Sequence, residues 1–154
     1  MSHRANLVIG NHLINDNSDC YVIAEIGHNH QGSLETCKQL FLAAKNAGVN
    51  AVKLQKRDNK TLFIKEVYNK VYDNPNSYGE TYGEHREFLE FGWHEYVELQ
   101  KYAKELDLDF FSTAFDIPSA DFLEKLDAPA YKFASGDLKT IPLLKHVAKF
   151  GKPM

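Results

Sequence analysis

The apolar positions of this chain change period as it runs, and the changes divide it into elements. Leu7, Val8 and Ile9, then Leu13 and Ile14, are two short apolar runs about Gly10-Asn11, the signal of a hairpin with a two-residue turn. Residues 21–24 (Tyr21, Val22, Ile23, Ala24) form a short, continuously apolar strand. Residues 34–47 follow with helical spacing, at Leu34, Cys37, Leu40, Phe41 and Ala44. Ser33 is placed to cap that helix, and Gly48 stands where it should stop.

The same unit then repeats. Residues 51–55 predict a strand and 93–106 an amphipathic helix; 109–113 a strand and 118–126 a helix with Pro118 in its first turn; 130–134 a strand and 141–150 a helix ended by Gly151. Strands with little alternation, each followed by a helix, indicate an α/β fold with a parallel sheet covered on both faces. Gly151-Lys152-Pro153-Met154 stands where a fifth strand should begin. One connection is out of proportion: residues 56–92 separate the second strand from its helix, against about two to six residues for an ordinary βα loop. This segment holds Tyr68, Tyr72, Tyr78 and Tyr82 and the apolar Leu62-Phe63-Ile64, which argue for order, with helix expected over residues 84–91.

Composition narrows the class. The chain has 154 residues, 44% hydrophobic and 25% charged, with a formal net charge of −3. No cationic run would drive counterion release, so neither nucleic acid nor a membrane surface is an expected partner. No apolar stretch has the length of a membrane span, and the first twenty residues lack a signal-peptide core. Cys20 and Cys37 lack zinc-type spacing and read as reduced thiols, so the expected compartment is the cytoplasm.

The informative polar residues lie at the strand ends, where parallel α/β folds and βα barrels gather reactive groups. The first strand ends in Glu25, the second in Lys53 and Gln55, the third in Thr113, and the fourth in Lys132 and Ser135, with Asp137 just beyond. Lys53 and Gln55 are two apart and share a face, which leaves Val52 and Leu54 for the outer helices. A single strand lysine is usually a solvated edge residue, and a single glutamate a cap or ion-pair partner. Four successive strand ends with such groups weaken that reading. Two lysines and two hydroxyls suit a small polyanion, and the carboxylates are left for proton transfer or for a hydroxylated substrate. His28 and His30 could ligate a metal from an extended segment, but with no third ligand in reach they read as the rim of the site. Ser119 and His146 read as structural residues on helix faces. His85-Arg86 fits either an acidic substrate or a solvated charged face.

These residues fall into a known pattern. Glu25-Ile-Gly-His-Asn-His-Gln-Gly-Ser33, Val52-Lys-Leu-Gln55, Phe111-Ser-Thr-Ala-Phe115, Tyr131-Lys-Phe-Ala-Ser-Gly-Asp137, Pro142-Leu-Leu and Gly151-Lys-Pro resemble, in order and spacing, the N-acetylneuraminate (sialic acid) synthase family. That family includes the legionaminic and pseudaminic acid synthases and the spore-coat polysaccharide proteins. The resemblance implies the first half of a TIM (β/α)8 barrel, about four βα units over residues 19–154, preceded by a hairpin in residues 1–18. It implies condensation of phosphoenolpyruvate with an N-acetylhexosamine, typically N-acetylmannosamine, and release of phosphate. By similarity Lys53, Thr113, Lys132 and Ser135 bind phosphoenolpyruvate, Gln55 joins the substrate site, and Glu25 and Asp137 are catalytic. Asp137 stands where many members have Glu; some carry Asp. The resemblance also implies a divalent metal, Mn2+ or Mg2+, whose ligands lie on later strands outside this chain, and a full-length homodimer joined through a C-terminal antifreeze-like domain. The chain is therefore expected to be a fragment, inactive alone. Two other readings stay open: a Schiff-base aldolase using Lys53 or Lys132, and a non-catalytic half-barrel that binds a partner.

Overall fold

The computed structural model describes residues 6–154. Leu7–Ile9 (β1) pairs antiparallel with His12–Ile14 (β2), and the turn carries Gly10 at φ 54°. Glycine is needed there twice over, for that φ and because a Cβ would run into the Asp109 carboxylate. Asp109 also accepts from Tyr21 OH at 2.7 Å and bonds His12 Nδ1 at 2.9 Å, which pins the hairpin beneath the amino-terminal end of the sheet.

Four βα units follow. The strands are Ile23–Gly27 (β3), Ala51–Lys56 (β4), Asp109–Ala114 (β5) and Tyr131–Lys132 (β6), all parallel, in the order β3-β4-β5-β6. The helices are Leu34–Asn46 (α1), Asn59–Leu62 (α2), Lys65–Tyr68 (α3), Tyr82–Leu89 (α4), Trp93–Glu105 (α5), Ile117–Lys125 (α6) and Ile141–Val147 (α7). Neighbouring strands are consecutive in the chain, as in a (β/α) barrel, and this is the expected α/β architecture. One sheet face carries Val52, Leu54, Phe110 and Ser112 into the helices: the Phe110 ring packs on Phe41 and Tyr96, and Tyr96 OH bonds Ser112 Oγ at 3.2 Å.

Several boundaries depart from the expected ones. The first strand starts at Ile23, later than the apolar run predicts, so Glu25 is its third residue rather than its end. The Tyr21 side chain is committed to Asp109 and the Val22 N–H to Asn50 Oδ1, so the ladder with β4 begins at the Ile23–Ala51 pair. The fourth strand is two residues, not five. From Ser135 the chain winds into a 3-10 turn, Ser135–Lys139, in which Asp137 N–H donates to Ala134 O. The last helix tightens at Ala148–Phe150 into a second 3-10 turn that ends at left-handed Gly151. Beyond it, Pro153 O accepts from Tyr131 N–H at 2.9 Å, so this segment runs beside β6.

The long segment after β4 is ordered and holds three helices instead of one. Thr81 and Glu84 form a capping box on α4, and Asp58 caps α2.

Candidate active site

Register assembles the site. Across the parallel ladder Glu25 pairs with Lys53 and Lys53 with Phe111; one layer on, Gln55 pairs with Thr113 and Thr113 with Lys132. Paired residues share a face, here the one turned away from the helices. Lys53 is buried at 7% exposure, in contact with the Glu25 carboxylate, and its Nζ donates to Thr113 Oγ1 at 3.4 Å. Gln55 Nε2 donates to Glu25 Oε1 at 3.2 Å. Gly27, at φ 56°, lets both side chains lie against the backbone: a Cβ there would stand 3.2 Å from Glu25 Oε1 and 3.3 Å from Gln55 Nε2.

Burial, and then the charge of Lys132, push the Lys53 ammonium down to about 8. The Glu25 carboxylate in contact with it works the other way, so the lysine keeps its charge at neutral pH. Lys132 itself is exposed. The structure thus brings Glu25, Lys53, Gln55 and Thr113 into one bonded cluster, with Lys132 on its flank. Ser135 is exposed at the start of the 3-10 turn, and Asp137 accepts from Thr140 Oγ1 at 3.5 Å; neither bonds to the cluster.

Sequence reading missed Arg57 and Glu90. Arg57 Nη2 donates to Gln55 Oε1 at 2.7 Å, its Nη1 lies 3.4 Å from His28 Nε2, and its guanidinium sits 3.7 Å above the Phe115 ring. Glu90, just past α4, approaches Arg57 Nη1 at 3.8 Å, Lys56 Nζ at 3.4 Å and the Arg57 N–H at 3.2 Å. It fastens the long insertion to the end of β4. The alternation Lys53, Gln55, Arg57 was the available signal for the arginine; nothing local marks Glu90.

The two histidines after β3 are occupied. His30 is buried and stacked on Phe91 at 4.0 Å, and its Nδ1 accepts from Gly32 N–H at 3.1 Å. Burial, then the neighbouring His28, hold it near pKa 4, so it is neutral. His28 faces Arg57 and Glu90. Among the described residues no three His, Cys, Asp or Glu converge as a metal site requires. These donors do not fit a divalent ion.

The family model described as NeuB family matches residues 40–154. The chain belongs to the NeuB family. Among curated relatives of this NeuB chain, N-acetylneuraminate-9-phosphate synthase of Drosophila melanogaster is 44% identical over 134 residues, 87% of this chain and 36% of the relative. The Homo sapiens protein of the same name is 40% identical over 135 residues, 88% of this chain and 38% of the relative. Among solved structures, N-acetylneuraminic acid synthetase of Leptospira borgpetersenii serovar Hardjo-bovis superposes with a TM-score of 0.79 at 27% identity, covering 97% of this chain and 48% of that one. The NeuB chain is therefore homologous to sialic acid synthases and shares their barrel fold, over little more than a third of the length of these curated relatives.

Proposed function

We propose that this chain forms the phosphoenolpyruvate-binding half of a nonulosonic acid synthase, which joins phosphoenolpyruvate to an N-acetylhexosamine such as N-acetylmannosamine and releases phosphate. The observation that carries the reading is the ladder in which Thr113 lies between Gln55 and Lys132, one layer above the contact of Lys53 with Glu25. Phosphoenolpyruvate presents a phosphate and a carboxylate on one short unit. Lys53 and Lys132 supply the two positive charges, and Thr113 and Ser135 neutral donors. Glu25, held by Lys53 and Gln55, is the group beside the reacting carbons that moves a proton, with Asp137 acting from the sugar side. None of these roles needs the divalent metal, manganese or magnesium, that the family resemblance carries; its ligands belong to residues outside this chain. The reading extends to a full-length homodimer in the cytoplasm. No helix among the described residues is long and apolar enough to cross a membrane.

The test is calorimetric titration of the chain with phosphoenolpyruvate. K53M and K132M should each weaken binding about tenfold or more, the scale of one charge-assisted hydrogen bond. Wild-type affinity in both variants would sink the reading. A second reading has one observation in its favour, the lowered pKa of Lys53, because a Schiff-base lysine has to be neutral. The Glu25 contact and a bound polyanion both favour the charged form, so borohydride with a carbonyl substrate should trap no adduct on Lys53 or Lys132.

A further inference from the structure

Glu25 has more freedom to lose than its neighbours in the site. Its side chain is 47% exposed, and a carboxylate so placed samples several rotamers unless both oxygens are held. Here both are: Oε2 contacts Lys53, and Oε1 accepts from Gln55 Nε2 at 3.2 Å. Lys53 is not a permanent holder, because the anion proposed for this site draws on the same ammonium. That leaves Gln55.

A glutamine side chain has nearly the same outline either way round, with opposite hydrogen-bonding roles at its two ends. Arg57 removes the ambiguity. A guanidinium donates and never accepts, so Nη2, 2.7 Å from Gln55 Oε1, admits only the oxygen and turns the NH2 toward Glu25. Arg57 is itself held from several sides. The Phe115 N–H donates to Lys56 O at 3.3 Å, continuing the β4–β5 register, and the Phe115 ring centre lies 3.7 Å from the guanidinium carbon. Glu90 Oε2 accepts the Arg57 N–H at 3.2 Å, and its Oε1 lies 3.8 Å from Nη1. His28 Nε2 stands 3.4 Å from that same nitrogen. The Arg57 and Glu90 side chains are only 10% and 6% exposed, so the junction is packed far more tightly than the carboxylate it serves. Rigidity passes from this junction, through Gln55, to Glu25.

We propose that Arg57 is a positioning residue for Glu25. By orienting the Gln55 carboxamide it fixes the carboxylate before substrate arrives and keeps it in place when Lys53 turns to the phosphoenolpyruvate anion. The polar partners of Arg57 are Gln55, His28 and Glu90, not the anion-binding Lys53 or Thr113, so its part in the reaction is indirect. Misplacing a reacting group by about 1 Å can cost on the order of a hundredfold in rate. The proposal rests on the synthase reading above and adds a residue to it.

Side-chain amide NMR of the 15N-labelled chain reads the Gln55 NH2 pair directly, and calorimetric titration with phosphoenolpyruvate reads the consequence. In the wild type the two Gln55 protons should be well separated, the one on Glu25 shifted downfield. R57M should bring them toward the positions of a free glutamine and weaken phosphoenolpyruvate binding about fivefold, the scale of one hydrogen bond. The weakening arises because a Glu25 no longer shared with Gln55 competes harder for Lys53. R57K keeps the charge but not the planar, stacked fork, so it should stay within about twofold of R57M and show the same collapsed pair. F115L removes the ring but no charge or donor; it should move the same two resonances, and it carries the test if R57M does not fold. Wild-type Gln55 resonances in R57M or F115L, the result expected of a merely structural arginine, would overturn the proposal. So would full restoration by R57K, which would assign the effect to charge alone. Failure of phosphoenolpyruvate to bind the wild type would instead strike the synthase reading, so the two failures are distinct.

Discussion

A lysine in the interior strand of a parallel sheet is desolvated unless it is paired, and Lys53 is in part both, buried yet touching Glu25. Its two pH dependences run in opposite directions. The folded pKa is about 8 and the ordinary value 10.5, so between these limits the unfolded chain holds a proton that the folded chain has shed. Stability contributed by this group therefore rises with pH across that window, while affinity for an anionic ligand falls once pH passes about 8. Urea midpoints and phosphoenolpyruvate titrations from pH 7 to 10 should show both trends in the wild type relative to K53M. Parallel curves for the two proteins would count against the assignment. That Lys53 and Gln55 share a face was legible in the sequence, because alternation along a strand is local; their meeting with Thr113 on β5 is set by register. The Glu25–Lys53 contact needed the ladder register. Ser135 and Asp137, read as part of the same motif, lie in the 3-10 turn and make no hydrogen bond to the cluster.

At the scale of elements, Asp116 joins two units. Its Oδ1 caps α6 through the Ser119 N–H at 2.7 Å, and its Oδ2 accepts the Asp58 N–H at 2.8 Å, just past the end of β4. D116A should cost about 2–3 kcal/mol in urea denaturation, roughly 1 for the cap and the rest for the stranded Asp58 amide. D116N, which keeps an oxygen acceptor, should recover about half; a loss under about 0.5 kcal/mol in D116A would show that the cap is dispensable. The cap of α1 at Ser33 and the helical spacing of α1 and α5 were readable from the chain. The Thr81–Glu84 capping box of α4 was not read from the chain: the expected helix began at residue 84, two residues after α4 does. Nor were the four-residue helices α2 and α3, since one turn of helix leaves no periodicity to detect.

In the molecule as a whole, the sheet has four parallel strands with β3 at one side and β6 at the other, and Ile23 on β3 is 40% exposed. A closed barrel has eight strands, and the face that carries Lys53 is only partly walled by these four. The expected outcome is that this chain binds phosphoenolpyruvate but releases no phosphate from it with N-acetylmannosamine. A coupled phosphate assay with turnover on the order of 1 per second, ordinary for an enzyme, would refute that. The sequence by itself determined the βα order, the helix-facing side of β4 and the polar residues carried near the strand ends, because these depend on period and caps within a few residues. Only the tertiary structure decided the strand register, the late start of β3, the two-residue β6, and the junction of Glu90 with Arg57, 33 residues apart in the chain. Each of these depends on partners distant in sequence, and no local pattern specifies which of several possible partners a strand or side chain will meet.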